Sequence, residues 1–428
     1  MSLTIFKFGG SSVKDAAHID NVRQIISQYT NDQLLIVISA VGKTTNALES
    51  AWAKYLEDKS AGKEALNRIL EQHVTLSKDL GLDEDKIAKR LNRALSHNLD
   101  QIPTIAPPDQ VYDQIISLGE LFSTIIISDF LAKSELRVGW MDVRDVLSTD
   151  DKYRNAQVDF NTTKSQIQSK VNALLSQHDI IITQGFIGKN KEGLTTTLGR
   201  EGSDYTAAIF AYSLEVEELT IWKDVQGILT ADPRRFENVE LLPKISYREA
   251  IEMTYYGAKV IHPKTIQPIQ NKNIRLQVRS FVDLDKEGTV IADPGPISYP
   301  PIVVVQEGIT LLRLTSNDFS FISEAHLSII FQNMDKLGLT LCAMRNSAIS
   351  FTLCLYAAGQ ERIEQFVEEI GSQFHVETYT NLQLYTIRHY NQYLIDSLTQ
   401  GKQVMFTEKN KKTIQMVIKD QPIIKEKV

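Results

Sequence analysis

Apolar and polar positions along the chain alternate between two periods, and the change of period divides it into strand–loop–helix units. Residues 3–8 read as a first strand, broken at Gly9–Gly10 and followed by Ser11 and Ser12. Over residues 15–29, Ile19, Val22, Ile25 and Ile26 recur at the spacing of one helix face. Residues 34–38 form a continuous apolar run of the kind buried on both faces of a parallel sheet. That run ends in the small-residue loop SAVGKTTN at 39–46, which enters another helix. Residues 47–101 are charged and helix-periodic, a helical excursion from the sheet that Pro103, Pro107 and Pro108 close. A helix follows over 109–133, with Gly119 near its middle, where glycine costs roughly 1 kcal/mol against alanine and so signals close backbone packing or a ligand. Short strands are predicted at 137–143, 179–183, 219–222 and 274–280. This alternation predicts an α/β fold with a mostly parallel sheet, whose ligands sit where the loops gather at the carboxyl ends of the strands.

The segment Asp293–Pro294–Gly295–Pro296 marks the best domain boundary. Downstream the order is strand (309–315), helix (323–337), two strands (339–345, 349–356), helix (360–371) and strand (374–379), a βαββαβ unit. Shorter strands at 383–388, 402–407 and 413–418 suggest a partial repeat, and the lysine-rich tail from Lys409 reads as a solvated face or frayed end.

Composition narrows the functions available. The chain has 428 residues, enough for two or three domains, and its 43% apolar and 23% charged content is ordinary for a globular protein. A net charge of −7 argues against general nucleic-acid binding. Cys342 and Cys354 alone give neither a disulfide framework nor a cysteine metal cluster. The start lacks the pattern of a secretion signal, and no run of about 18 apolar residues is evident, so the expectation is a cytoplasmic protein with no membrane span.

Candidate chemistry centres on TTTLGREGSDYT at 195–206, lying between a strand and a helix-like run at 204–214. Gly199 and Gly202 allow close approach of backbone to a ligand, and a helix starting near Ser203 and Asp204 would turn free N–H groups towards an anion. An ordinary turn capped by Ser203 or Asp204 fits the same residues. Neither a GxxxxGK[ST] loop nor the protein-kinase signatures are present. Single charged groups stand instead at several strand ends: Lys7, Lys43, Arg200, Asp204, Asp224, Arg234 and Lys259. Lys7, inside an apolar strand two residues before Gly9, needs an anion or a partner unless it faces solvent on an edge. Phosphoryl transfer suits this set, because it needs positioning and positive charge around the moving group.

KFGGSSV at 7–13, SAVGKTTN at 39–46, SLGELFST at 117–124, TQGFIG at 183–188, TTTLGREGSDYTA at 195–207, WKDVQGILTADPR at 222–234 and YGAKVIHP at 256–263 together resemble the aspartokinases of the amino-acid kinase family. The resemblance implies an amino-acid kinase domain over 1–295, including the helical excursion at 47–110. It also implies an ACT-like regulatory domain over 302–380 and a partial second one over 381–428 that shares strands with it. With no homoserine dehydrogenase segment following, the chain resembles the monofunctional type. The implied activity is ATP-dependent phosphorylation of L-aspartate to 4-phospho-L-aspartate, with Mg²⁺ held mainly by the phosphates. Lys7 and Asp204 would then be catalytic. Ser39, Thr45, Glu120 and Arg200 match aspartate-binding positions, and Lys7, Gly9, Gly10, Ser11, Lys223, Asp224, Arg234 and Lys259 match nucleotide-binding ones. Lys223 and Leu229 depart from the threonine and tyrosine common there. In the regulatory strand, Cys342, Arg345 and Ala348 replace an acid, a threonine and an acid, leaving Asn346 and Ser347 as contacts for a lysine or threonine effector. A homodimer through the ACT-like domains is implied by analogy. Other readings are a relative acting on glutamate, acetylglutamate or UMP, and a catalytically silent amino-acid sensor.

Overall fold

The computed structural model describes residues 3–29, 32–134, 136–258, 261–293, 295–318, 320–356 and 359–419, so Lys259 and the end of the lysine-rich tail lie outside the described residues. Two compact units divide the chain. The first comprises Met1–Ile228, Leu241–Thr254 and Lys259–Pro296, and the second Leu229–Glu240, Tyr255–Ala258 and Ile297–Val428.

The first unit opens with β1 (Leu3–Phe8), α1 (Ala16–Ile26) and β2 (Gln33–Ile38). The charged stretch after β2 forms three helices, α2 (Thr44–Glu57), α3 (Lys59–Asp79) and α4 (Glu84–Asp100). Then come α5 (Pro108–Ile116) and α6 (Leu118–Leu131), β3 (Val138–Met141), α7 (Phe160–Leu175) and β4 (Ile180–Gln184). The hairpin β5 (Ile187–Lys189) and β6 (Thr195–Thr197) leads into α8 (Gly202–Leu214) and β7 (Glu218–Lys223). The unit ends with β8 (Lys244–Ser246), α9 (Tyr247–Tyr255), α10 (Pro263–Gln270), β9 (Arg275–Ser280) and β10 (Thr289–Ala292).

Eight strands form one sheet in the order β3-β4-β2-β1-β7-β9-β10-β8, parallel except between β9 and β10. The predicted α/β class is therefore correct. Strand β1 is central, with Lys7 opposite Val37 of β2 on one side and Ile221 of β7 on the other. The carboxyl ends of β4, β2, β1 and β7 thus lie side by side, and the glycine-bearing loops issue from them. Strand β2 is mostly leucine, isoleucine and valine and β4 mostly isoleucine, as suits strands buried on both faces.

The hairpin β5–β6 was not predicted, since each strand has only three residues. The expectation that no segment is apolar enough to span a membrane also needs correction. Pro108–Leu131, with α5 and α6 end to end, is long and apolar enough by length and composition. Interruptions by Asp113, Gln114, Ser117, Glu120 and Ser123 hid the run from a search for unbroken apolar sequence. The protein buries 89% of its most apolar window, as befits a core helix.

In the second unit, β11 (Ile302–Ser316), α11 (Glu324–Lys336), β12 (Leu341–Asn346), β13 (Ser350–Leu355), α12 (Gln360–Ile370) and β14 (Phe374–Arg388) are followed by α13 (Gln392–Thr399), β15 (Gln403–Lys409) and β16 (Thr413–Lys419). They make an antiparallel sheet in the order β12-β13-β11-β14-β16-β15. The predicted strands at 374–379 and 383–388 are one strand. Asn381, at φ 56°, looks like a turn in sequence, but the irregularity is absorbed by register shifts in the pairing of β14 with β11, where Gly308 has φ +70°. One core packs Leu312, Phe351, Leu353 and Phe374 of the sheet against Ile330 of α11 and Phe366 of α12. Another packs Tyr385, Ile387, Ile414 and Met416 against Leu394 and Leu398 of α13.

Candidate active site

A cleft of about 480 Å³ opens at the carboxyl end of the first unit's sheet. Lys7 reaches it from β1, Ser39 and Ala40 from the loop after β2, Thr45 from α2, Glu120 from α6, and Asp204 from the first turn of α8. Gly10 lets the first two loops meet, because a Cβ there would lie 2.8 Å from the Ala40 carbonyl oxygen. Gly119 has the same use in the helix: a Cβ would lie 2.8 Å from that of Ala40, so only glycine brings α6 this near the loop. That contact explains the glycine singled out from sequence and places Glu120 at the bottom of the cleft.

Asp204 is completely buried and ion-paired twice, to Lys7 Nζ at 2.5 Å and to Lys223 Nζ at 3.4 Å. Burial pushes its carboxyl up, but the two ammonium groups outweigh burial and hold it down at about 2. One carboxylate therefore stands between two lysines on the floor of the cleft. Glu120 differs. It is 4% exposed, and burial drives its carboxyl up to about 8, against the opposing pull of the Ala40 N–H and the Lys7 charge. Ala40 N–H donates to Glu120 Oε1 at 3.3 Å, while Oε2 is buried with no hydrogen-bond partner among the described residues. A buried acceptor left open beside a cleft is suited to a cationic donor on a ligand.

The segment singled out as 195–206 is divided between β6, a turn and α8. Glu201 precedes the helix with φ 56° and no side chain caps it, so the alternative of Ser203 or Asp204 as N-cap is wrong. The Gly202 N–H donates to the Gly199 carbonyl oxygen at 3.1 Å, which leaves the Ser203 and Asp204 N–H groups as those of the first turn that an anion could take. Three non-glycine residues that line the cleft have left-handed backbone, Arg154 (φ 65°), Phe186 (φ 69°) and Glu201 (φ 56°). Each such residue costs roughly 1–2 kcal/mol, and such strain gathers at ligand sites.

Seven of the expected site residues line this cleft: Lys7, Gly10, Ser39, Thr45, Glu120, Arg200 and Asp204. Lys223 joins them through Asp204. Gly9 lies beside Lys7, 3.4 Å separating the ammonium from where its Cβ would be. Ser11, Lys43 and Asp224 are exposed. Arg234 falls in the second unit and pairs with Asp232 at 2.8 Å, and Lys259 lies outside the described residues. Asn346 ends β12 and Ser347 begins the turn to β13, both exposed in the second unit. Sequence reasoning missed Arg154, Tyr112, Phe186 and Thr197, which also line the cleft. It missed as well the buried Asp113, which accepts from Arg154 N–H at 3.1 Å, Thr197 N–H at 2.8 Å and Thr197 Oγ1 at 2.7 Å. Asp113, set among Val111, Tyr112, Ile115 and Ile116, was the available signal.

Comparison with known proteins shows relatives of this arrangement. The Amino acid kinase family matches residues 2–280. The chloroplastic bifunctional aspartokinase/homoserine dehydrogenase 2 of Arabidopsis thaliana is 34% identical over 69% of this chain and 33% of its own length. The chain thus spans about a third of that bifunctional relative. Lysine-sensitive aspartokinase 3 of Escherichia coli is 32% identical over 83% of this chain and 79% of its own. The crystal structure of E. coli aspartokinase III with lysine and aspartate superposes with a TM-score of 0.82 at 27% identity, covering 97% of this chain and 95% of that one. The same enzyme with aspartate and ADP gives 0.77 at 26%, covering 98% and 96%.

Proposed function

Because the chain belongs to the amino acid kinase family, in its aspartokinase branch, we propose that it transfers the γ-phosphoryl group of ATP to the side-chain carboxylate of L-aspartate, giving 4-phospho-L-aspartate and ADP. The observation that carries this reading is the meeting in one cleft of a lysine pair around buried Asp204, the open acceptor of Glu120, and Arg200. The E. coli relative crystallised with aspartate and ADP supports it.

Each group has a task in this reading. The Glu120 carboxylate takes the substrate's ammonium through Oε2, and Arg200 grips the α-carboxylate with its forked donors. The side-chain carboxylate then lies towards Lys7, where one of its oxygens attacks the γ-phosphorus as ADP departs. Asp204 fixes Lys7 in place, so that the ammonium balances the negative charge spread over the moving phosphoryl oxygens. Lys223 is held by the same carboxylate and adds positive charge. Gly9, Gly10, Ser11 and the open first turn of α8 offer backbone N–H groups to phosphates. Both buried carboxylates of the cleft are committed, one to lysines and one to the substrate ammonium. We therefore assign Mg²⁺ to phosphate oxygens and water, where it would neutralise phosphate charge.

The second unit is assigned a regulatory role. Its cores and shared sheet suit paired ACT-like modules over 302–380 and 381–428, with Asn346 and Ser347 facing a lysine or threonine effector and a second copy of the chain pairing through the same unit. ADP release measured with aspartate, glutamate, acetylglutamate and UMP in turn, with lysine or threonine added, tests the whole reading. Release with aspartate alone supports it; preference for another acceptor, or no release with any, overturns it.

A further inference from the structure

Arg154 has no place in the chemistry described so far, yet it lines the same cleft as Arg200, Glu120 and Lys7. Its backbone has φ 65°, a conformation glycine adopts freely and arginine does not. The turn is held in that shape from beneath: Asp113, fully buried, accepts the Arg154 N–H and ties it to Thr197 of β6. The Arg154 carbonyl oxygen would lie 3.0 Å from a Cβ on Gly199, so the turn also packs on the loop that carries Arg200. A strained backbone pinned so firmly fixes where the side chain leaves the turn.

The side chain is supported as well. Its guanidinium lies over the Tyr112 ring, 4.2 Å from the centroid, and 5.6 Å from that of Trp52. Those rings meet edge to face at 5.3 Å, and each is fixed at its polar end. Tyr112 donates to Glu49 at 2.8 Å and Trp52 to the Pro108 carbonyl at 3.0 Å. A guanidinium held over an aromatic ring still has N–H donors to offer an anion. One donor, Nη1, reaches Asp109 at 3.2 Å, and both side chains of that pair are about half exposed. Such a pair is weak and exchanges readily for a better-placed carboxylate.

We propose that Arg154 is a second carboxylate-binding arginine of the cleft, held by Asp109 when the cleft is empty and turning to the α-carboxylate of the acidic amino acid when it binds. The inference rests on the kinase reading above and adds to it a specificity device. Arg200 and Arg154 together favour an acceptor that carries a carboxylate beyond the one being phosphorylated. Arg154 does not touch the reacting atoms; it positions the substrate from the rim.

Three variants of the full-length protein test this by ADP release over a range of aspartate and ATP concentrations. Arg154→Gly suits the left-handed turn and removes only the side chain, so it melts no lower than the parent. Its aspartate KM rises about tenfold, as loss of one charge-assisted contact requires, its ATP KM is unchanged, and kcat falls far less than KM rises. Arg154→Lys recovers part of the affinity. Asp109→Asn lowers the aspartate KM by about two- to threefold, the opposite sign, because it frees the guanidinium. If Arg154 is only a brace for the fold, Asp109→Asn weakens the protein in the same direction as Arg154→Gly, and the proposal fails. It fails equally if Arg154→Gly leaves the aspartate KM unchanged or raises that for ATP instead. A parent protein that releases ADP with none of the acceptors overturns the kinase reading itself. An active parent with an unaltered Arg154→Gly overturns only the second arginine.

Discussion

On the floor of the cleft, Lys7 and Asp204 meet at 2.5 Å with the carboxylate shut off from solvent; on its rim, Arg154 and Asp109 meet at 3.2 Å with side chains 46% and 57% exposed. Both are cation–carboxylate pairs, but water treats them differently. The floor pair is desolvated, so removing Asp204 strands a nearly buried Lys7, at a cost of about 3–5 kcal/mol. The rim pair is screened and worth at most about 1 kcal/mol, which leaves its members free to change partners. In the proposed reaction that division matches the work required: fixed charge where the phosphoryl group moves, exchangeable charge where substrate enters and leaves.

The contrast can be broken most directly at Lys7. Replacement by alanine should lower kcat on the order of 10²-fold or more, as for other charge-stabilising donors; near-parental ADP release would remove the floor pair from the mechanism. Asp204→Asn should reduce both activity and thermal stability. Asp204 titrates at about 2 instead of its ordinary 3.8, so its stabilising effect is complete above pH 3.8 and lost as pH falls through 2. The variant's melting deficit, read by thermal denaturation, should therefore be full at neutral pH and shrink in acid. A deficit independent of pH would show that packing, not charge, is what Asp204 supplies.

Glu120 sharpens the comparison, being a floor residue that gives up its proton only when needed. Its carboxyl stands at about 8 against an ordinary 4.5, so folding takes up a proton between these values and stability falls as pH rises from 4.5 to 8. Glu120→Gln should consequently melt higher than the parent above pH 8, and the gain should disappear below pH 4.5. Aspartate affinity in the parent should increase as pH rises towards 8, since the ammonium needs the ionised carboxylate; the glutamine variant should bind aspartate weakly at every pH. Direct binding titrations across that range decide it. Arg200→Ala, on the rim, is the mildest: the aspartate KM should rise about tenfold with kcat little changed, and unaltered saturation by aspartate would refute its role.

What could be read in the sequence follows the same division. Lys7 stood out because charge inside an apolar run demands an explanation, Asp204 because it closes a glycine-bearing loop at a strand end, and Glu120 only through the resemblance; far apart in the chain, the three share one cleft. The parallel sheet was legible from the apolar runs of β2 and β4. Arg154 and Tyr112 were not legible, because an exposed arginine in a polar segment looks like any other, and its left-handed backbone leaves no mark in composition. The pairing of Lys223 with Asp204 depends on β7 lying beside β1, a non-local fact that no local pattern encodes. Asn346 and Ser347, expected from resemblance alone, are exposed at a turn, where nothing buried or strained distinguishes them from ordinary loop residues.

Strands β11 and β14 each run 15 residues and contribute to three cores of the second unit. Neither half could be trimmed away, duplicated or exchanged as a separate cassette without cutting through the middle strands of the other. Any inheritance of this tail, natural or engineered, must take it whole.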